Sequence, residues 1–299
     1  MATSLYISNQ RLMAVTGSAN QRRIQVKAYQ EAALPAGSVI NGVITNEGAF
    51  CQGVQELAKQ MGKGFTNVRI VLNASRIYTK RVVLPRLAKA KLMELVAGEF
   101  ADLDTEADDG LIYDCMPLGA PSSMGQGRAT LACAARASLV ASYVELFNSL
   151  DVKLSGIDGA QSALIKLADT LPATKGETFI TLGLDGNTLD ASLFINGVFR
   201  HNNRNRLIAD RGTPECIAEI SKMVSSLIQF NASERSGAEI GNVYAIGLLP
   251  GESPLLNSIA AAYDVNATVL TDSSGLVSAP GEGFALDQYA YAVGNLIGA

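Results

Sequence analysis

The chain lacks tryptophan and contains a single histidine, His201, among its 299 residues. One imidazole cannot supply the histidine clusters of zinc sites, nor the base of most nucleophilic dyads. Its four cysteines, Cys51, Cys115, Cys133 and Cys216, are scattered in apolar contexts without a CxxC pair. We therefore interpret them as small buried hydrophobic side chains rather than as disulfide partners or metal ligands.

An excess of positive charge is also missing. The chain has 24 basic and 28 acidic residues, which gives a formal net charge of −4. A protein that binds a polyanion needs a clustered basic surface, and the longest basic cluster, residues 200–206, is interrupted by asparagines. The composition therefore excludes nucleic acid as an electrostatic partner.

Long hydrophobic runs are absent as well. No stretch approaches the roughly 20 consecutive apolar residues of a membrane helix. Residues 1–10 have neither the charged start nor the apolar run of a signal peptide. Because 48% of the residues are hydrophobic and 17% are charged, the chain belongs among globular proteins. We expect a soluble, cytoplasmic protein without direct membrane insertion.

Two series of predicted elements follow one another along the chain in the same order. Each begins with three meander strands and continues with helix, strand, helix, strand and helix, judged from hydrophobic periods of 2 and about 3.6 residues. A Pro/Gly-bearing segment at 172–176 separates the two series. The sequence therefore predicts two α/β lobes around a cleft. The first lobe is predicted at 1–172, with an insertion at about 62–121, and the second at 173–299.

Several of these elements have clear boundary signals. The spacing of apolar residues predicts a helix over 214–230, with Thr213 as its N-cap and Pro214 at its first position. Strands are predicted at 68–73 and 78–84, followed by a helix over 89–101. We also expect an acidic loop at residues 102–109 and a loop rich in Pro, Gly and Ser at residues 118–127.

Four segments resemble motifs of one family, in the order that the family has them. Residues 35–44 resemble P-x-G-x-I-x-x-G-x-I, residues 81–85 resemble R-x-I-x-L-P, residues 143–158 resemble Y-V-x-L followed by V-D, and residues 289–294 resemble Y-A-V-A-x-G. The duplicated plan is that of actin and the sugar kinases. On these residues the chain resembles a divergent member of the FtsA/PilM branch, specifically the type IV pilus assembly PilM family. The resemblance implies a duplicated, actin-like (ribonuclease H-like) α/β fold with an inserted subdomain in the first lobe.

The resemblance also implies a cleft in which two turns, each bearing a glycine and an acid, hold the phosphates of ATP with Mg²⁺. The first turn here, residues 7–11, has neither an acid nor a glycine. In the second turn Gly183 and Thr188 match the pattern, but Thr181 occupies the place of the expected acid. Asp185 is a substitute acid, although an Asp-Gly pair before a strand favours a hairpin turn.

The remaining parts of the cleft are altered too. On the side of the cleft that would hold the adenosine, the family has a pair of glycines before a helix. Here only Gly247 and Gly251 stand at the two ends of that segment, with bulky residues between them. Asp158 matches a family acid near the cleft and is equally well interpreted as a helix N-cap. The candidate cleft residues are Ser8, Asn9, Asp158, Gly183, Asp185, Gly186, Asn187, Thr188, Gly247 and Gly251. Because the phosphate-binding parts are degraded, we predict a pseudo-ATPase that has no catalytic or metal site and does not require ATP with Mg²⁺.

The resemblance implies the work of a cytoplasmic adaptor, peripheral to the inner membrane. Such a protein binds the N-terminal tail of a PilN-like membrane protein and couples it to the pilus inner-membrane platform and motor. An extended tail binds by strand addition or by inserting side chains into apolar pockets. We expect the strands at 68–73 and 78–84, with the helix at 89–100, to form that surface. A true ATPase or kinase, a GspL-like secretion component and an FtsA-like filament former stay open as alternatives, as does self-association.

Overall fold

A computed structural model of the protein describes residues 1–20, 22–62, 65, 67–104, 109–119, 127–234, 236–281 and 283–298. The strands, in chain order, are β1 (Ala2–Ile7), β2 (Arg11–Asn20), β3 (Arg23–Ala33), β4 (Val39–Ile40), β5 (Val43–Ile44), β6 (Val68–Leu72), β7 (Ile77–Leu84), β8 (Leu111–Pro117), β9 (Arg128–Arg136), β10 (Leu154–Gly159), β11 (Phe179–Asp185), β12 (Thr188–Ile195), β13 (Val198–Arg206), β14 (Asn242–Ile246), β15 (Asn266–Val269) and β16 (Val277–Ser278). The helices are α1 (Glu47–Met61), α2 (Lys89–Gly98), α3 (Ala101–Asp104), α4 (Ala137–Ser149), α5 (Ala160–Thr170), α6 (Pro214–Ser233), α7 (Ser253–Tyr263) and α8 (Leu286–Leu296). Residues 105–108 of the predicted acidic loop and 120–126 of the predicted Pro/Gly/Ser-rich loop lie outside the described residues.

The first lobe is built on a six-stranded sheet of order β10-β6-β1-β2-β3-β16. Its first three strands form an antiparallel meander, while β6 and β10 run parallel to β1. Helices α1 and α4 cover one face, where Phe50 of α1 packs against Tyr143 and Phe147 of α4. Helices α5 and α8 cover the other face. A sheet covered on both faces explains why the central strand β1 is a nearly continuous buried run.

The second lobe repeats this plan with a five-stranded sheet of order β13-β12-β11-β14-β15. Its outer face packs against α6 and α7. Helix α6 begins where the sequence predicts, because the Thr213 hydroxyl accepts a hydrogen bond from the Cys216 N–H at 3.3 Å and Pro214 needs no partner for its nitrogen. The inner face contributes Phe179 and Phe194 to a core that continues into α5 and α8.

The predicted boundary of the second lobe is wrong at its C-terminal end. Strand β16 pairs with β3 of the first sheet, and α8 packs on β1, β2 and α5. Residues 277–298 therefore return to the first lobe. The physical reason is that α8 is buried all round, so it is stable only between the two sheets and not on an outer face.

The inserted unit also covers other residues than the sequence predicts. Strand β6 lies between β1 and β10 in the main sheet, so residues 68–72 are not inserted. The separate unit is the three-stranded sheet β7-β9-β8 with α2 and α3, over residues 77–136; we call it the inserted subdomain. Helix α2 ends at Gly98, earlier than predicted, and a short helix α3 follows it. Among the described residues, no helix combines the length and apolar character needed to cross a membrane.

Candidate functional site

The first predicted phosphate turn connects β1 to β2 and is closed by its own side chain. The Ser8 hydroxyl oxygen accepts hydrogen bonds from the backbone N–H groups of Gln10, at 3.1 Å, and Arg11, at 2.9 Å. In a phosphate-binding turn, such N–H groups point at the phosphate oxygens. Here they already have an acceptor, and the turn brings neither a carboxylate nor a glycine to the cleft.

The second predicted turn is a two-residue hairpin. Asp185 pairs with Thr188 across β11 and β12, so Gly186 and Asn187 form the turn, and Gly186 has a φ of +55°. The buried Asp185 carboxylate also accepts a hydrogen bond from the Tyr6 hydroxyl at 3.0 Å. Burial raises the pKa of Asp185, and hydrogen bonds from Tyr6 and Ser8 oppose that rise. Asp185 therefore links the second hairpin to the first lobe.

A partly buried ion pair of the second lobe is linked to the first lobe through Asn73, beside these turns. Arg204 of β13 donates from Nη1 to Oδ2 of Asp190 on β12 at 3.0 Å. Asn73, which follows β6 of the first lobe, donates to the same carboxylate at 3.1 Å. Arg204 Nη2 also donates to the Asn73 carbonyl oxygen at 3.3 Å. We call Asn73, Asp190 and Arg204 the interlobe cluster; sequence reasoning missed all three residues.

Two tyrosine rings pack together between the two turns. The ring of Tyr6 on β1 packs against the ring of Tyr291 on α8 at a tilt of 30°, with ring centroids 4.7 Å apart. A Cβ atom on Gly183 would lie 2.1 Å from the Tyr291 hydroxyl oxygen. Gly183 thus allows α8 to approach β11, whereas the family pattern predicted that this glycine serves a phosphate turn.

The loop on the predicted adenosine side is fixed by a second ion pair. Arg211 donates from Nε to Oε1 of Glu252 at 2.8 Å and from Nη2 to the carbonyl oxygen of Gly247 at 3.0 Å. Glu252 accepts a further bond from the Leu249 N–H at 2.7 Å. Gly247 has a φ of +74°, and a Cβ there would lie 2.3 Å from the Leu184 carbonyl oxygen. Gly251 belongs to the same loop and precedes α7.

The predicted cleft residues are only partly brought together. Ser8, Asp185, Gly186 and Gly247 line one cavity of about 20 Å³. That volume holds about one water molecule. Asn9, Asn187 and Thr188 line a separate cavity of about 280 Å³, next to β4. Among the residues that the structure describes, no group of three or more His, Cys, Asp or Glu side chains could hold a metal ion. The cavity that both turns line is therefore far smaller than a nucleoside triphosphate.

Asp158 lies outside the cleft, and it is not the N-cap of α5. Its Oδ2 is 2.5 Å from the Lys166 ammonium nitrogen, and its Oδ1 accepts a hydrogen bond from the Gly159 N–H at 2.9 Å. The N-cap of α5 is Gly159, which makes no side-chain capping bond. Asp158 instead lines a groove of about 880 Å³ between the first lobe and the inserted subdomain.

This groove runs between two strand edges. Six consecutive residues of β8, 112–117, and six of β10, 154–159, line it. Within the described part of the chain, β8 pairs only with β9 and β10 only with β6, so each is the edge strand of its sheet. The rim carries two exposed aliphatic side chains, Ile112 at 47% exposure and Val144 at 37%. We call this feature the edge groove.

The surface predicted for a peptide agrees with the edge groove only in part. Helix α2 contributes Lys89 and Met93 to it, and β7 contributes Ile77. Strand β6 has neighbours on both sides and no free edge. Strand β8 was missed as a site, although exposed Ile112 and Asp114 alternate with the half-buried residues beside them, as expected for a strand with one open face.

Comparisons with known proteins agree with this architecture. A family model described as "Type IV pilus assembly protein PilM" matches residues 4–184. Among solved structures, the chain is similar to one described as "PilM-PilN type IV pilus biogenesis complex", with a TM-score of 0.78 and 17% identity over 99% of this chain and 97% of that one. It is also similar to a Bacteroides thetaiotaomicron protein with an actin-like ATPase fold and unknown function, with a TM-score of 0.55 and 9% identity over 90% of each chain. A further likeness is to the ethanolamine utilization protein EutJ from Carboxydothermus hydrogenoformans, with a TM-score of 0.53 and 8% identity over 99% of this chain and 88% of that one.

No curated protein sequence matches the chain. The predicted actin-like fold is confirmed.

Proposed function

The chain belongs to the type IV pilus assembly protein PilM family, and we propose that it is a cytoplasmic adaptor whose edge groove binds the N-terminal tail of a PilN-like inner-membrane protein. Through that tail it couples the pilus inner-membrane platform to the motor. The observation that carries the proposal is the pair of edge strands, β8 and β10, that both line a groove of about 880 Å³. The solved structure to which the chain is similar is described as a complex of PilM with PilN.

The dimensions of the edge groove suit an extended peptide. Six residues in a β conformation span about 20 Å, which matches the six-residue runs of β8 and β10. Strand addition supplies main-chain hydrogen bonds, and every second side chain of the peptide points into the same wall. Ile112, Met116 and Val144 provide apolar contacts there.

Two aspartates protect the free edges when no peptide is bound. Asp114 accepts a hydrogen bond from the Cys115 N–H at 2.8 Å, and Asp158 accepts one from the Gly159 N–H at 2.9 Å. Side-chain charges placed on edge strands oppose unspecific strand pairing. A specific partner must therefore compensate for the release of these bonds by filling the apolar pockets of the groove.

The variant Ile112→Glu is expected to weaken the binding of the tail at least tenfold. The change places a carboxylate where an apolar contact is made, and losing a side chain that carries binding energy typically costs about 2 kcal/mol or more. The measurement is isothermal titration calorimetry with a synthetic peptide of the N-terminal tail of the PilN protein from the same organism. Ile208→Glu is the matched control, because Ile208 is 92% exposed and lies outside the edge groove. Equal affinities of wild type and Ile112→Glu would exclude the edge groove as the binding site.

The same adaptor is proposed to work without nucleotide, as a pseudo-ATPase. The support is the closed geometry between the lobes: Ser8 occupies the N–H groups of its own turn, and Tyr6 donates to Asp185. Arg204 fills the space next to them with a cation that is already paired with Asp190. A nucleotide would have to displace these contacts and separate the lobes before its phosphates could bind.

Millimolar Mg-ATP is expected to leave the melting temperature of the protein unchanged. A ligand that binds only the folded state, present at 100 times its Kd, would stabilise that state by about 2.7 kcal/mol. Differential scanning fluorimetry with and without Mg-ATP makes the comparison, and the tail peptide serves as the positive control. A rise of several degrees with Mg-ATP would contradict the pseudo-ATPase proposal and favour a nucleotide-binding ATPase, while leaving the proposal for the edge groove untouched.

A further inference from the structure

One arginine in the edge groove has a buried donor without a hydrogen-bond partner. Arg69 lies on β6, and its side chain reaches the groove beside Gly156 of β10, its neighbour across the strand pair. Its Nε is buried without a hydrogen-bond partner, and no ion pair involves Arg69 among the described residues. Of the other charged groups that line the groove, Lys166 pairs with Asp158, Asp114 accepts a hydrogen bond from the Cys115 N–H, and Lys89 is exposed to solvent.

The guanidinium of Arg69 lies over β10, the edge strand of the first sheet. A Cβ atom at position 156 would lie 3.6 Å from the central carbon of the guanidinium, which is an ordinary van der Waals contact. The side chain of Arg69 therefore extends across Gly156 towards the edge of β10. Because an arginine side chain carries five N–H donors and no acceptor, its hydrogen bonding is completed by an acceptor, most commonly an oxygen. A buried N–H that lacks an acceptor is unfavourable, so the site gains when one arrives.

The geometry of a sheet indicates which part of a peptide could supply that oxygen. A strand added to the free edge of β10 would lie two strand spacings, about 9.6 Å, from β6. Its main chain would be paired with β10, and its alternate side chains would project over the same face as Arg69. The acceptor is therefore a side chain of the added strand rather than its backbone.

We propose that Arg69 determines the specificity and register of the bound tail by binding an oxygen-bearing side chain of it, from Asp, Glu, Asn or Gln. This inference rests on the proposed function, because it names the chemistry that the edge groove selects. A carboxylate would form the stronger bond, since two N–H groups of a guanidinium match its two oxygens. An amide oxygen would accept one of the same bonds.

The test is a double-mutant cycle by calorimetry with the full chain and the synthetic PilN tail peptide. Arg69→Met is expected to lower the affinity at least tenfold, and one acceptor residue of the peptide, when changed to alanine, should cause a similar loss. The two losses should not add, because each removes the same bond. Arg69→Lys should recover the affinity only in part, since an ammonium keeps the charge without the planar fork. Arg86→Met, an exposed cation outside the groove, is the matched control.

The outcomes separate the two proposals. Tail binding that is equal in wild type and Arg69→Met would overturn the role of Arg69 and leave the edge groove as the binding site. No binding of the tail to wild type would overturn both. If the Arg69 variants fail to fold, the alanine scan of the peptide against wild-type protein still decides: a scan in which no Asp, Glu, Asn or Gln matters overturns the inference. Melting temperatures identify such variants, and we expect Arg69→Met to melt no lower than wild type, because it removes a buried donor that lacks a partner.

Discussion

Gly294→Ala is expected to destabilise the protein by about 3 kcal/mol or more, at the upper end of the usual cost of overpacking. Gly294 lies where α8 crosses α5, and a Cβ atom there would be 2.0 Å from the carbonyl oxygen of Ala163 and 2.7 Å from its carbonyl carbon. These are backbone atoms of a helix, so no rotation of a side chain relieves the contact. The two helices would have to separate, and both belong to the core that joins the two sheets.

Urea-induced unfolding of Gly294→Ala and wild type measures this effect. Gly98→Ala is the matched control, because Gly98 is also helical and a Cβ atom added there would have nothing within 4 Å. An alanine in a helix is favoured over glycine by about 0.5–1 kcal/mol, so the control should gain a little stability. A free energy of unfolding for Gly294→Ala within about 1 kcal/mol of wild type would show that the crossing of α5 and α8 relaxes easily.

The elements of the fold could be predicted because their signals are local. The N-cap of α6 depends on Thr213 and Pro214, and the apolar stripe of the helix follows within one segment of sequence. Which sheet a strand joins is not a local property. The apolar run of β6 predicts a strand equally well in the main sheet or in the insertion, and only its pairing with β1 and β10 decides. The same limit explains α8, which is a helix as predicted but returns to the first lobe.

The candidate site was harder to predict for the same reason. Asn73 and Asp190 are 117 residues apart, and Asn73 and Arg204 are 131 apart, so no spacing in the sequence relates them. One signal was available: Asp190 interrupts the apolar strand β12, and a carboxylate buried there requires a partner. For Gly183 and Asp185, the family pattern predicted phosphate chemistry, whereas their contacts with Tyr291 and Tyr6 serve packing and the junction between lobes.

Arg204→Met is expected to cost about 3 kcal/mol of stability near pH 7, because it leaves the carboxylate of Asp190 buried without its cation. The methionine keeps most of the length and apolar contact of the side chain. Asn73 would still donate to Asp190, but a single amide bond does not balance the charge. The matched control is Arg11→Met, since Arg11 pairs at 3.3 Å with the exposed Glu31, and such an ion pair is worth about 1 kcal/mol or less. Arg11 also donates to the neutral Gln288 at 3.3 Å, so its removal leaves no buried charge without a partner.

The loss in Arg204→Met should depend on pH, with a sign that follows from Asp190. Burial raises the pKa of Asp190 in the folded protein, and Arg204 opposes that rise. Without Arg204 the folded-state pKa of Asp190 lies higher still, so the folded variant binds a proton more tightly than the unfolded chain does. Its stability relative to wild type therefore falls as pH rises through that pKa, and recovers as pH is lowered towards the unfolded value of about 4.

Urea unfolding at about pH 7.5 and about pH 5 should show the larger deficit at the higher pH. Arg204→Met combined with Asp190→Asn should remove this pH dependence of the stability deficit, since the double variant has no carboxylate at position 190 to titrate. A deficit that is the same at both pH values, or that persists unchanged in the double variant, would mean that Arg204 stabilises the junction by packing and not by holding the charge of Asp190.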